Sequence, residues 1–277
     1  VIDPDILDFY AQGREQDRLK DPRRSIEYWR TMDILLRHLP PAPATVLDIG
    51  GGPGLYALTL AALGYRVHLI DPVPLHVDQA QAASTSAERP LVSAQLGDAR
   101  TLDHPDGHAD AVLLLGPLYH LTDPADRARA WTEAHRVLRP GGAVIAAGAS
   151  RYYTTWEMLS KGTLDLPGAE DVVRQHLATG QHRNPERDFD RLWTTAYFHD
   201  PAELAAEARA AGLAVRALLA VEGPAKLLPD LAERMGEEAD RERVLMAIRR
   251  TETEPTVLGL SSHVLAVAEV PAAGDGR

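Results

Sequence analysis

The residues of this chain best equipped for chemistry sit where a short apolar run meets a glycine-rich turn. In Val46-Leu47-Asp48-Ile49-Gly50-Gly51-Gly52-Pro53-Gly54, glycines occupy the alternate positions 50, 52 and 54, with Gly51 between the first two and the acid Asp48 just ahead. Glycine lets backbone pass close to a bulky ligand without a Cβ in the way. A helix predicted over Leu55 to Leu63 opens directly after the turn, so a ligand there meets backbone N–H groups at a helix N-terminus. A dinucleotide turn of the Gly-x-Gly-x-x-Gly kind, begun at Gly50, needs glycine where Leu55 stands, which counts against a nucleotide-binding oxidoreductase. The next apolar run, Arg66 to Ile70, closes on Asp71-Pro72. A carboxylate at that strand end can accept two hydrogen bonds from a ribose diol.

These residues resemble the class I S-adenosylmethionine-dependent methyltransferases, and the likeness runs from about Thr45 to Gly148. The turn bearing Asp48, Gly50, Gly51, Gly52 and Gly54 resembles the family's first motif, and Asp71, followed by Pro72, matches its ribose-binding acid. Leu96-Gly97-Asp98-Ala99 resembles the family's third-strand segment. That implies Asp98 for the adenine amino group and the backbone N–H of Ala99 facing the ring. Leu138-Arg139-Pro140-Gly141-Gly142 matches the structural loop before strand five. The resemblance implies S-adenosyl-L-methionine as cofactor, with Gly116 also against it. It further implies an α/β fold, a Rossmann-like seven-stranded and mostly parallel sheet whose final strand is antiparallel.

In the resembling family the end of strand four faces the transferred methyl group, and here it reads Leu115-Gly116-Pro117-Leu118-Tyr119-His120-Leu121. It is not the Asp/Asn-Pro-Pro-Tyr type that cradles a planar amino group, and no acid stands there to support metal-dependent O-methylation, so no metal is expected. His120 is the candidate base, because an imidazole accepts a proton near neutral pH; Tyr119 is a candidate to orient a substrate oxygen or to line the adenosine pocket. Candidate substrate contacts are Tyr10 and Arg18 near the N-terminus and Arg151, Tyr152 and His199 beyond strand five. The guanidinium of Arg151 suits a carboxylate. Trp156, His176, His182, Trp193 and Tyr197 are expected to form a small core of that region's own.

Stepping outward, strand and helix signals alternate from Thr45, as for a parallel sheet covered on both faces. Strands are predicted at Thr45 to Ile49, Arg66 to Ile70, Leu91 to Leu96, Ala109 to Leu115 and Ala143 to Gly148, then at Leu213 to Val221 and Ser262 to Val270 as a closing hairpin. Asp123-Pro124 and Asp200-Pro201-Ala202-Glu203 each pair a capping acid with proline at the first helical position. The organisation expected is an N-terminal helical segment or lid at 1–44, a cofactor-binding core at 45–149, a substrate-lid insertion at 150–199, and completion of the sheet at 200–277 with a helical insertion at 223–255. An insertion as long as 150–199 is usually functional.

With 277 residues, 45% of them hydrophobic, the chain can bury one large α/β core. It contains no cysteine, which excludes disulfides and thiolate chemistry. A net charge of −11 disfavours a polyanionic partner such as nucleic acid, and no apolar stretch is long enough to span a membrane. The chain opens on Val rather than Met without a signal-peptide pattern. A cytoplasmic bacterial enzyme is expected, with a homodimer contact as the alternative use of a lid segment. The leading expectation is methyl transfer to oxygen or nitrogen of a small specialised metabolite. The alternatives are methyl esterification of a peptide natural product, an oxidoreductase, and a non-catalytic cofactor-binding module.

Overall fold

The computed structural model describes residues 2–183 and 193–272. Helices α1 (Pro4–Tyr10) and α2 (Ser25–His38) precede the sheet. Strands and helices then alternate: β1 (Thr45–Ile49), α3 (Leu55–Ala62), β2 (Arg66–Asp71), α4 (Pro74–Thr85), β3 (Ser93–Leu96), β4 (Ala109–Leu114), α5 (Pro124–Val137) and β5 (Leu138–Ala149). An excursion of α6 (Tyr153–Ser160), α7 (Ala169–Thr179), β6 (Gln181–His182) and β7 (Ala196–Tyr197) leads to α8 (Pro201–Ala210) and β8 (Ala214–Ala220). Last come α9 (Leu231–Gly236), α10 (Glu238–Arg249), α11 (Pro255–Leu258) and β9 (His263–Glu269).

Seven strands form one sheet in the order β3-β2-β1-β4-β5-β9-β8. Strands β1 to β5 run parallel, and β9 lies antiparallel between β5 and β8. The strands read as unbroken apolar runs because both faces are covered. Along β4, Val112 and Leu114 pack toward Trp131 and Ala134 of α5 and Leu204 of α8, while Ala111 and Leu113 pack toward Ile34 and Leu35 of α2 and Leu60 of α3. The strand's period of two thus feeds two separate cores.

Helix starts follow local chemistry. Asp123 caps α5 by accepting from the Ala125 N–H at 2.8 Å, and Asp200 and Glu203 form a reciprocal capping box on α8. Two predicted strand starts shift by more than one residue. Strand three begins at Ser93 rather than Leu91, because the Leu91 N–H is taken by the Ser84 hydroxyl at 2.9 Å instead of by a neighbouring strand. Strand five begins at Leu138, which pairs beside Ala109 before the register slips.

The segments outside the sheet have their own packing. Ile26 of α2 joins Leu231, Met235, Val244 and Ile248 in a small core, so the hairpin insertion docks on the N-terminal helix. Arg30, fully buried, bonds Glu252 at 2.5 Å and the Val221 carbonyl at 3.1 Å, and also pairs with Asp33. In the excursion after β5, His176, His182, Trp193 and Phe198 cluster edge to face, with 2.8 Å between the His176 Nε2 and His182 Nδ1 atoms. Among the described residues no helix is long and apolar enough to cross a membrane.

Candidate active site

The site begins at the carboxyl end of β1, where the Gly50 N–H donates to the Ile70 carbonyl at 2.7 Å and ties the turn to β2. Gly50, Gly52 and Gly54 adopt φ of 70°, 56° and 93°, a left-handed region costly for residues with a Cβ. Gly51 is required for another reason: a Cβ there would stand 2.6 Å from Asp48 Oδ2. At Gly52 a Cβ would clash with nothing, meeting Glu15 and His76 only at ordinary contact distances of 3.9 and 4.0 Å. Asp71 accepts from the Gly52 N–H at 2.8 Å and the Val73 N–H at 2.9 Å, with His76 Nδ1 at 3.1 Å.

A cavity of about 480 Å³ opens over this turn. Asp48, Gly50, Gly51 and Gly52, Asp71 and Pro72, Asp98 and Ala99, and Gly116 all line it. Gly54 does not; it caps α3 from behind, its position pressed on Ala80 and Leu69. Asp48 is buried, and neither of its carboxylate oxygens has a hydrogen-bond partner. Burial, reinforced by the neighbouring Asp71, pushes its pKa up to about 7. Asp98 is held by Arg100 through Nε at 2.9 Å and Nη2 at 2.5 Å, and Arg100 reaches on to Asp126 at 2.6 Å. Burial opposes ionisation of Asp98, but the Arg100 hydrogen bonds outweigh it and hold the carboxyl below its ordinary range.

A second cavity of about 560 Å³ lies under α1 and the excursion after β5. Seven residues line both: Tyr10, Glu15, Arg18, Glu27, Tyr119, His120 and His263. They form the wall through which the chambers meet. Tyr119 donates to the Leu115 carbonyl at 3.0 Å, and burial pushes its pKa up. His120 is engaged on both sides, with Nε2 2.7 Å from the Tyr10 hydroxyl and Nδ1 3.5 Å from the Thr195 carbonyl. Burial pushes its pKa down to about 4, against smaller opposing effects of the Thr195 carbonyl and Asp71. Arg18 forks onto Glu27 with two bonds of 2.7 Å and onto Glu15 at 2.8 Å.

The sequence reading missed a cluster in this wall. His263 Nδ1 lies 2.7 Å from Glu222 Oε1 and 4.0 Å from Glu27, and Lys226 Nζ lies 3.9 Å from Glu222. A signal was available. Glu222 stands two residues beyond β8 at the ligand-binding end of the sheet, and His263 opens the antiparallel neighbour, so both fall at that same end.

Three expected substrate contacts lie elsewhere. Arg151 is consumed by Glu203 at 2.5 Å and by the Phe198 carbonyl and Tyr197 hydroxyl at 3.2 Å each, anchoring the excursion to α8. The Tyr152 hydroxyl donates to Asp200 at 2.5 Å on the exterior, and His199 packs edge-on to Tyr197 with Glu207 3.5 Å away. None of the three lines either cavity. The chain turns at Arg151 and Tyr152 and enters α6 at Tyr153, and it is Tyr153 and Thr154, at the start of that helix, that reach the second cavity. Arg14 lines that cavity, whereas Trp29 lies under the Arg241 guanidinium, 4.3 Å from its ring centroid.

The unpartnered Asp48 carboxylate, the bare backbone of Gly52 lining the cavity and the acid at Asp71 fit a ligand that carries positive charge near the turn and a ribose beside it. Residues 46–142 match the profile of a methyltransferase domain. An uncharacterised methyltransferase of Mycobacterium tuberculosis is 40% identical over 104 residues, covering 38% of this chain and 39% of that one. This chain therefore spans about two fifths of the length of that relative. A ubiquinone biosynthesis O-methyltransferase of Xanthomonas axonopodis pv. citri is 32% identical over 188 residues, 66% of this chain and 67% of its own length. A solved S-adenosylmethionine-dependent methyltransferase of Methanosarcina mazei superposes with a TM-score of 0.58 over 86% of this chain and 97% of its own, at 18% identity, a likeness of fold. With the glycine turn, the two acids and the sheet order in agreement, the chain belongs to the class I S-adenosylmethionine-dependent methyltransferase family.

Proposed function

We propose that this chain transfers a methyl group from S-adenosyl-L-methionine to an oxygen or nitrogen of a small organic acceptor. The observation that carries the reading is the pair of cavities meeting at one wall. One bears the family's cofactor motifs; the other is walled by Phe9, Tyr153, Trp193 and Phe198 and by charged side chains from α2 and α6. Asp48, Gly50, Gly51, Gly52, Asp71, Pro72, Asp98, Ala99 and Gly116 would hold the cofactor. When bound, it supplies an electrophilic methyl on a sulfonium whose leaving group is a neutral thioether. The chain's task is to align the acceptor with that methyl and to exclude water, which can lower a barrier by several kcal/mol.

In this reading Tyr10 and His120 hold the N-terminal helix down on the wall, and Tyr119 lines it. His120 is poorly suited to accept a proton, since its Nε2 is occupied by Tyr10 and its pKa is pushed low. Arg14, Arg23 and Arg24, exposed at the second cavity without an ion-pair partner among the described residues, favour an acceptor with an anionic group. A carboxylate acceptor, giving a methyl ester, stays within the same chemistry, although Arg151 is not available to receive it. The test is calorimetric binding of S-adenosylhomocysteine, then mass spectrometry of a panel of phenols, hydroxybenzoates, aromatic amines and peptide acids incubated with S-adenosylmethionine. A product one methyl heavier and stable to mild base indicates an ether or amine; one labile to base indicates the ester. Absence of S-adenosylhomocysteine binding would refute the proposal.

A further inference from the structure

We propose that His263, oriented by Glu222, is the general base of this site and takes the acceptor's proton at Nε2. The inference rests on the methyl-transfer reading and names its catalytic group. His263 lies in the wall shared by the two cavities, where acceptor and methyl must meet. Glu222, fully buried, addresses it twice: Oε1 takes the ring Nδ1–H at 2.7 Å, and Oε2 takes the backbone N–H at 2.9 Å. A carboxylate held by both oxygens cannot turn away, and a carboxylate accepts only, so the neutral ring carries its proton on Nδ1 and its lone pair on Nε2. Nε2 has no hydrogen-bond partner among the described residues and is not sealed from the cavity. That distinguishes it from His120, whose Nε2 is satisfied by Tyr10.

The surroundings suit a ring that gains charge. Facing His263 are Glu222 beyond β8, Glu27 of α2, Glu157 of α6, Lys226 beside α9 and the Tyr119 ring. Burial and Lys226 oppose protonation, yet Glu222 and then Glu27 outweigh them and raise the His263 pKa above its ordinary value. The same three ligand-type side chains lie within 4.8 Å of one another. The carboxylates already face cations, however, Glu27 through the Arg18 fork and Glu222 through Lys226. A further double charge has little to gain there, whereas a single proton on the imidazole completes the balance.

In the step itself, the acceptor O–H or N–H bond breaks and its proton passes to Nε2 while the acceptor's electron pair forms the bond to the methyl carbon. The carbon–sulfur pair departs with sulfur, leaving S-adenosylhomocysteine, and the imidazolium returns its proton to solvent. Such a base serves an acceptor that must be deprotonated, a hydroxyl or an ammonium, rather than one attacking with a free lone pair.

The test combines a structural and a kinetic readout on the full chain loaded with S-adenosylhomocysteine. Ring ¹⁵N NMR should find His263 as the Nδ1–H tautomer titrating above its ordinary value, and Glu222→Gln should lower that pKa and mix the tautomers. A wild-type ring protonated on Nε2 when neutral, or a titration unchanged in Glu222→Gln, would overturn the proposal. On the panel member that the wild type methylates, His263→Gln should lower kcat by about 10²–10⁴-fold with S-adenosylhomocysteine affinity retained. Glu222→Gln should move the acid limb of the pH profile to lower pH and depress its plateau. An unchanged rate and pH profile in His263→Gln also overturns it. Failure of the wild type to bind S-adenosylhomocysteine would instead sink the methyl-transfer reading, and the same tautomer measurement on the ligand-free chain would then judge the pair.

Discussion

Replacing Asp48 by Asn should make the ligand-free protein more stable at pH 8 while weakening its hold on the cofactor. Burial and Asp71 raise the Asp48 pKa from 3.8 to about 7. A group whose folded-state pKa lies above its unfolded value contributes most below the unfolded value, and that contribution is lost as pH rises through the folded one. At about 1.4 kcal/mol per pH unit, ionised Asp48 costs the folded state roughly 4 kcal/mol above pH 7 relative to pH 4 and below. Asn removes that cost but buries an amide lacking a partner, at about 1–3 kcal/mol. The net expectation is a gain of about 1–3 kcal/mol at pH 8 that vanishes or reverses near pH 4. Urea denaturation of both proteins across that range measures it. The counterpart is binding: a cationic ligand group beside the turn favours the carboxylate, so wild-type affinity for S-adenosylhomocysteine should fall about tenfold per pH unit below 7 and level off above. Calorimetry in buffers of different ionisation enthalpy should detect proton release near pH 7, and Asp48→Asn should abolish both effects. An Asn variant whose stability difference from wild type is the same at pH 4 and pH 8, or a flat wild-type binding profile, would refute the reasoning.

Other changes separate binding from stability. Gly52→Ala puts a methyl into the cavity at φ 56°; S-adenosylhomocysteine should bind at least about tenfold more weakly, with only roughly 1 kcal/mol of strain in unfolding. Arg30→Met removes the buried guanidinium that ties α2 to Glu252 and to the Val221 carbonyl, while Arg37 and Arg249 still face Glu252 and Asp33, and equilibrium unfolding should show a loss of about 1–3 kcal/mol. Arg151→Ala breaks the anchor to Glu203 and should lower the melting temperature while leaving S-adenosylhomocysteine affinity and acceptor KM unchanged; a raised KM at unchanged stability would restore Arg151 to the substrate site.

What the sequence determined by itself is the part governed by neighbours along the chain. The strand-to-turn passage at Asp48 to Gly54 requires glycine for steric reasons visible within nine residues, and Asp71 and Asp98 follow at the ends of the next strands. The caps at Asp123 and Asp200 are equally local, so the core elements could be read with shifts of a few residues. The sheet order and the cofactor cavity follow from those elements. Only the tertiary structure decided which side chains meet in the wall shared by the two cavities. Glu222 and His263 are 41 residues apart, and Glu27 joins them from the far end of the chain; the charged insertion between β8 and β9 hides their closeness. Arg151, Tyr152 and His199 line neither cavity for the converse reason. Residue type and proximity to a strand end cannot say how the chain turns between β5 and α6, and so which side chains it carries into a cavity. The glycine turn is specified by sterics inside a few residues, whereas the wall between the two cavities is assembled by packing between segments that share no local signal.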